Sequence, residues 1–215
     1  MPSAIPTLRH FAQTTIARGA LPLALDSCLD RGLCPLFVDA TCGNGYDAAF
    51  MVRSAVPRLV ERNMTARLLA FDVQEAALAN TRLLLDDQGV PDAMQVALVH
   101  ASHAHVGQHM RENERVAVGM FNLGYLPGSD KTVITRKDTT LTALHSLAAH
   151  TITDGVLCVH AYAGHEGGRD EAEAVDGWFA SLPEAVWAVA RYAFPNKAKN
   201  METLYLAEKI RDHMV

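Results

Sequence analysis

The run Asp39-Ala-Thr-Cys-Gly-Asn-Gly-Tyr-Asp47, entered from the apolar segment LFVDA, most constrains what this chain can fold into. An apolar strand that ends on an acid and passes through two closely spaced glycines into a helix is a βα turn. Gly43 and Gly45 let the backbone turn tightly and approach a ligand where a Cβ would intrude. Asp72 closes the next apolar segment, ARLLAFD, at a position where a carboxylate accepts hydrogen bonds from a ribose diol. Together these residues describe a nucleoside-cofactor site at the carboxyl edge of a sheet. They leave the cofactor open, because Gly43-Asn-Gly45-Tyr-Asp-Ala48 also satisfies the dinucleotide fingerprint G-x-G-x-x-A. Asp39 favours a cationic ligand: an acid at the strand tip repels a pyrophosphate and suits the amino acid end of S-adenosylmethionine.

The rest of the chain alternates short apolar runs with longer amphipathic segments, the pattern of βαβ units around a mainly parallel sheet. A helical stretch is predicted from about Thr7 to Arg31, interrupted near Gly19 and Pro22. Strands are predicted at LFVDA, ARLLAFD, Met94–His100, RVAVGMFN and GVLCVHAY. Helices are predicted from Tyr46, over Gln74–Gln88, over TTLTALHSLAAH with Asp138 as N-cap, and over Gly168–Leu182. EAVWAVARYAF and TLYLAEKI have no helix between them and read as an antiparallel hairpin at the sheet edge. The expected fold is therefore α/β, with seven strands and helices on both faces. It forms one domain over 1–215, in which 1–34 is a helical segment that could cover the core or bury a homodimer contact.

Charge and cysteine usage bound the partners. Lys plus Arg is 19 against 24 Asp plus Glu, a net charge of −5, which excludes a generally basic nucleic-acid binder but allows a local cationic patch. The four cysteines form no CxxC pair, so reduced thiols in a cytoplasmic protein are the expectation. Neither a membrane span nor a secretory leader is expected. His100, His103, His105 and His109 cluster, but no acid or thiol accompanies them and no metal is expected. His100 and His103 are placed instead at the rim of an adenine pocket.

The fourth strand runs into Asn122-Leu-Gly-Tyr125-Leu-Pro127, similar to the substrate loop of amino-group methyltransferases. There, Asn122 would accept a hydrogen bond from an amine without stabilising its protonated, unreactive form. Tyr125 and Pro127 would pack on the substrate, and His165 would orient the amine or accept its proton. Lys131, Arg136 and Lys137 follow closely and suit a phosphate backbone.

Five blocks resemble the rRNA methylase family of class I methyltransferases, some of whose members act on the 5-aminomethyl group of the tRNA wobble uridine. They are VDATCGNGYD, AFDVQEAALANT, VHASHAHV, FNLGYLPGSDKTVIT and YAGHEGGRDEAEAV, within about Phe37 to Lys209. Departures are Tyr46 where the family usually has His, a longer segment around VPRLVERNMTA, and a C-terminal loop, Asn196 to Asn200, without the usual prolines. The resemblance implies a class I (Rossmann-like) sheet and S-adenosyl-L-methionine as cofactor. It implies a cofactor shell of Asp39, Thr41, Cys42, Gly43, Asn44 and Gly45, completed by Asp47, Asp72, Gln74, Ser102, His103 and Asn122. Lys131, Arg136, Lys137, Arg169, Lys197 and Lys199 would face RNA, most specifically a tRNA carrying 5-aminomethyl-(2-thio)uridine. Alternatives are a methyltransferase for rRNA or a small amine, and a non-enzymatic RNA- or dinucleotide-binding module.

Overall fold

The computed structural model describes residues 7–126, 132–164, 167–196 and 202–212. Its centre is a seven-stranded sheet of β1 (Cys34–Asp39), β2 (Ala66–Asp72), β3 (Met94–His100), β4 (Glu114–Asn122), β5 (Thr151–Tyr162), β6 (Trp187–Ala193) and β7 (Glu202–Lys209). The spatial order is β3-β2-β1-β4-β5-β7-β6, parallel except where β7 runs antiparallel to both β5 and β6. The expected C-terminal hairpin is present, with β7 inserted between β5 and the edge strand β6. Strand order reverses between β1 and β4, and a crevice opens at such a switch point beyond the carboxyl ends of the strands.

Period-two alternation explains why the inner strands are apolar nearly throughout. Phe37, Leu68 and Ala70 point into a core beneath α1 (Leu8–Thr15), α2 (Leu21–Asp30), α3 (Tyr46–Glu61) and α4 (Glu75–Gln88). Their neighbours Leu36, Val38, Leu69 and Phe71 point into the opposite core. That second core lies beneath the one-turn α5 (Val106–His109), α6 (Lys137–His150) and α7 (Gly168–Ala180). There Trp178 meets Phe179 edge-on, and Phe179 stacks on Tyr205 at 4.9 Å.

Three boundaries differ from expectation. The N-terminal helical stretch is interrupted near Gly19 as expected, but by a π-helical turn at Ile16–Ala20 that leads α1 directly into α2, with Pro22 tolerated in the first turn of α2. Arg58 Nη2 donates to the Ala17 carbonyl at 3.1 Å, satisfying an oxygen in that widened turn. Leu8, Ala12, Ile16, Leu21 and Leu25 are buried, so this segment covers the core. Asp138 is not the cap of α6, which starts at Lys137 with Arg136 in the cap position. Thr135 N donates to Gly124 O at 2.9 Å and Gly124 N to Thr135 Oγ1 at 2.8 Å, so the chain is pinned at Thr135 and the helix begins at once. Asp138 instead occupies the first turn, where its charge favours the helix dipole. Finally, β5 begins at Thr151, four residues before GVLCVHAY. Its pairing with β4 jumps from Val116↔Thr151 to Val118↔Val156 across a bulge carrying Asp154 at φ 68°.

Candidate active site

The tips of β1, β2 and β4 meet at the glycine turn. Cys42 N donates to Phe71 O at 2.8 Å and Ala40 N to Met120 O at 2.9 Å, stitching the start of the turn to both flanking strands. Gly43 and Gly45 have φ of 53° and 81°. At Gly45 the requirement is steric as well, since a Cβ would lie 2.8 Å from Thr81 Cα on α4. Asp72 holds the turn from the next strand: Oδ2 accepts from Gly43 N at 3.0 Å and Oδ1 from Gln74 N at 2.9 Å. A carboxylate offers about four acceptor positions, so both oxygens can still receive a ribose hydroxyl.

Above the turn lies a cavity of about 380 Å³. Thr41, Cys42, Gly43, Asn44, Asp72 and Gln74, all expected in the cofactor shell, form one side. Ser102 and His103 contribute from the turn after β3, and Asn122, Tyr125 and Arg136 from the β4 side. His100 does not line the cavity; its Nε2 lies 3.0 Å from Val73 O. His103 is buried, and burial lowers its pKa to about 4 against the opposing effect of a backbone hydrogen bond at Ala40. It therefore faces the cavity as a neutral ring.

Three expected cofactor residues lie beneath the floor. Asp39 is fully buried and does not reach the cavity, nor do Gly45 and Asp47. Burial and then the nearby Asp47 push the Asp39 carboxyl up to about 8, although amides at Thr41 and Ala48 and the Arg9 charge oppose the rise. Asp39 Oδ2 is buried with no hydrogen-bond partner. Asp47 points inward because two amides claim it: Gln13 Nε2 donates to Oδ1 at 2.8 Å and Asn122 Nδ2 donates to Oδ2. Asn122 is also held by its backbone, whose N–H donates to Thr41 Oγ1 at 2.7 Å. With Nδ2 committed to an obligate acceptor, the carbonyl of Asn122 is the end left to accept from a ligand.

A second buried carboxylate braces the opposite wall. Glu171, in the first turn of α7, accepts from Thr135 Oγ1 at 2.6 Å and Thr140 Oγ1 at 2.7 Å. The same Thr135 clasps Gly124, and Thr140 Oγ1 is 3.3 Å from His103 Nε2. Beside Asn122, at the end of β5, Tyr162 Oη is 3.0 Å from His160 Nδ1, and His160 Nε2 lies 3.2 Å from Glu202 Oε2 but off the line of a hydrogen bond. Burial lowers the His160 pKa, and Glu202 partly restores it.

Sequence reasoning missed Arg9, Gln13, Thr135, Thr140 and Glu171. Thr135 and Glu171 fall within two of the family blocks and the others within none; in every case the contact that gives the residue its role spans more than thirty positions. Arg136 reaches the cavity, whereas Lys137 and Arg169 are exposed in the first turns of α6 and α7, at the same edge of the sheet. Pro127, Lys131, His165, Lys197 and Lys199 lie outside the described residues. Among the described residues no group of three His, Cys, Asp or Glu side chains could hold a metal ion.

The family profile described as "Putative rRNA methylase" matches residues 68–208. This chain belongs to the rRNA methylase family. Its sheet, with the C-terminal antiparallel hairpin, is that of class I S-adenosylmethionine-dependent methyltransferases. A chloroplastic tRNA (mnm5s2U34)-methyltransferase of Arabidopsis thaliana is 36% identical over 161 residues, 74% of this chain. That alignment spans 58% of the Arabidopsis protein. An rRNA methylase structure from Clostridium thermocellum superposes with a TM-score of 0.79 at 29% identity, covering 97% of this chain and all of that one. A Streptococcus mutans methyltransferase structure in complex with SAH superposes at 0.75 with 27% identity, covering 95% of this chain and 99% of that one.

The cavity of this family member fits S-adenosylmethionine. Gly43 lines the floor without a Cβ, Asp72 offers free acceptor positions to a ribose diol, and Asp39 has an orphaned acid oxygen below the floor.

Proposed function

We propose that this protein transfers the methyl group of S-adenosylmethionine to an amine nitrogen on RNA, and that its substrate is the 5-aminomethyl group of (2-thio)uridine at the tRNA wobble position. The observation that carries this reading is the fixed orientation of Asn122. Its Nδ2 is bound to Asp47, so its carbonyl is left to accept from an incoming amine at the tip of β4, beside the cofactor cavity. The bound cofactor supplies a methyl group made electrophilic by a sulfonium.

In-line displacement then needs a neutral nitrogen held in position. A carbonyl oxygen holds such an amine by one N–H and, unlike a carboxylate, does not favour its protonated form. Tyr125, which lines the cavity on the same side, offers a ring to a base. The N–C bond forms as the S–C bond breaks, and the product ammonium releases a proton. His165 is the residue we assign to orient the amine or receive that proton. Asp72 and Gln74 hold the nucleoside end of the cofactor, with Ser102 and His103 at the adenine rim. Arg136, Lys137 and Arg169, with Lys131, Lys197 and Lys199, are the residues we assign to RNA phosphates. The name of the Arabidopsis relative supports the wobble uridine as the target.

The reading is tested by incubating the protein with labelled S-adenosylmethionine and undermodified tRNA, followed by nucleoside analysis. Label in the methylated 5-aminomethyl(-2-thio)uridine is expected. Label confined to rRNA or to a small amine would overturn the tRNA assignment. Asn122→Ala is expected to lower turnover about 100-fold, the scale of lost positioning, while cofactor affinity stays within about threefold. Equal loss of both would remove Asn122 from the amine site.

A further inference from the structure

We propose that Arg9, on the N-terminal helix α1, receives the carboxylate of the cofactor's amino acid end. The inference rests on S-adenosylmethionine occupying the cavity with its nucleoside at Asp72 and its amino acid end near Asp39. That end carries both an ammonium and a carboxylate. Asp47, joined by Asp39 once the ammonium draws off its proton, favours the ammonium and repels the carboxylate. The carboxylate therefore needs a cation on the same side.

Among the described residues, Arg9 and Arg136 are the arginines that line the cavity, and no lysine does. Arg136 belongs to the wall after β4, with Thr135 and Thr139 as neighbours in the chain. Arg9 belongs to the Asp47 side: its Nε is 3.5 Å from Asp47 Oδ1, and its guanidinium carbon sits 5.8 Å from the Tyr46 ring centroid.

Arg9 is not consumed by Asp47. Its Nε forms an ion pair with that carboxylate at 3.5 Å, longer than a hydrogen bond, while Gln13 and Asn122 donate to the same two oxygens. Arg9 Nε is buried without a hydrogen-bond partner, while the side chain as a whole is 42% exposed and lines the cavity. Its planar fork matches a carboxylate through two parallel hydrogen bonds, and the adjacent Tyr46 ring limits the orientations it can take. Asp47 thus positions Arg9 electrostatically, and the cofactor carboxylate completes its hydrogen bonding.

The test compares S-adenosylmethionine with its decarboxylated form, which lacks only this group, by titration calorimetry without RNA. In Arg9→Gln the ratio of the two dissociation constants is expected to shift by about 10-fold or more towards the decarboxylated ligand, the scale of a charge-assisted pair. Affinity for the decarboxylated form should stay within about threefold of wild type. Arg9→Lys should keep part of the discrimination, because it retains charge but not the fork. Equal weakening of both ligands would overturn the proposal in favour of a structural role. Unchanged cofactor binding with weaker, salt-dependent RNA binding would overturn it in favour of a phosphate contact. Failure of the wild type to bind either ligand would overturn the occupancy of the cavity itself, and this inference with it.

Discussion

Asp47 and Glu171 occupy equivalent local positions and serve opposite walls of the cavity. Each lies in the first turn of a helix whose N-cap is a glycine in the left-handed region, Gly45 at φ 81° and Gly167 at φ 75°. Each is 2% exposed. A carboxylate there gains from the helix dipole, which offsets part of the cost of burial. The partners differ. Asp47 binds two side-chain amides and lies beside an arginine, drawing α1 and β4 together under the floor. Glu171 binds two threonine hydroxyls and ties the loop after β4 to α6 and α7. In the proposed reaction one acid would set the geometry between cofactor and amine, and the other the position of the loop that would face the substrate.

Substitutions should separate the two. Asp47→Ala leaves Gln13 and Asn122 without their acceptor and Arg9 without its nearest counter-charge. It is expected to cost about 3 kcal/mol in denaturant unfolding and to depress turnover and cofactor affinity together. A loss confined to RNA affinity would break the contrast. Glu171→Gln keeps the shape but presents an amide donor to one of two hydroxyls that now donate. A cost of about 1–2 kcal/mol is expected, with a raised KM for RNA and cofactor affinity within about twofold. Weakened S-adenosylmethionine binding in calorimetry would show that the walls are not independent.

The smallest effect concerns pH and sharpens the role of the floor. Burial, and then the nearby Asp47, push the Asp39 carboxyl up from its ordinary 3.8 to about 8 in the folded protein. Between those values the folded state binds more protons than the unfolded chain, so this group makes stability fall as pH rises through the window. His103 acts in the opposite sense: its pKa of about 4 lies below the ordinary 6.5, so its contribution is lost as pH falls from 6.5 towards 4. A cationic ligand above Asp39 favours its ionised form. Cofactor binding near pH 7 should therefore release a fraction of a proton, read as a dependence of calorimetric enthalpy on buffer ionisation heat. Asp39→Asn should abolish that dependence, and persistence of the release would exclude Asp39 as its source.

Much of this arrangement was legible along the chain. Tyr46, Asp72, His100 and Asn122 mark element ends that coincide with the predicted ones, because apolar alternation, chain-terminating polar residues and glycine turns are local signals. Asp39 shows where local reading stops. Its position at the strand tip is evident, but its complete burial and the charges of Asp47 and Arg9 around it come from tertiary packing. Asp138 is similar: a good cap in isolation lost that place because Thr135 is clasped to Gly124 from the other side of a loop.

The alternation of apolar runs determined the fold class, and the glycine turn with the acid at the end of β2 determined a nucleoside cofactor, because each works through its own backbone conformation or strand-end position; the family blocks then implied S-adenosylmethionine. The sequence alone did not reveal Arg9 and Gln13 at Asp47, or Thr135 and Thr140 at Glu171. Those pairs are 34 to 38 and 31 to 36 residues apart and depend on helix docking. Only the packed structure brought them together, since a buried carboxylate takes whichever donors the surrounding elements deliver.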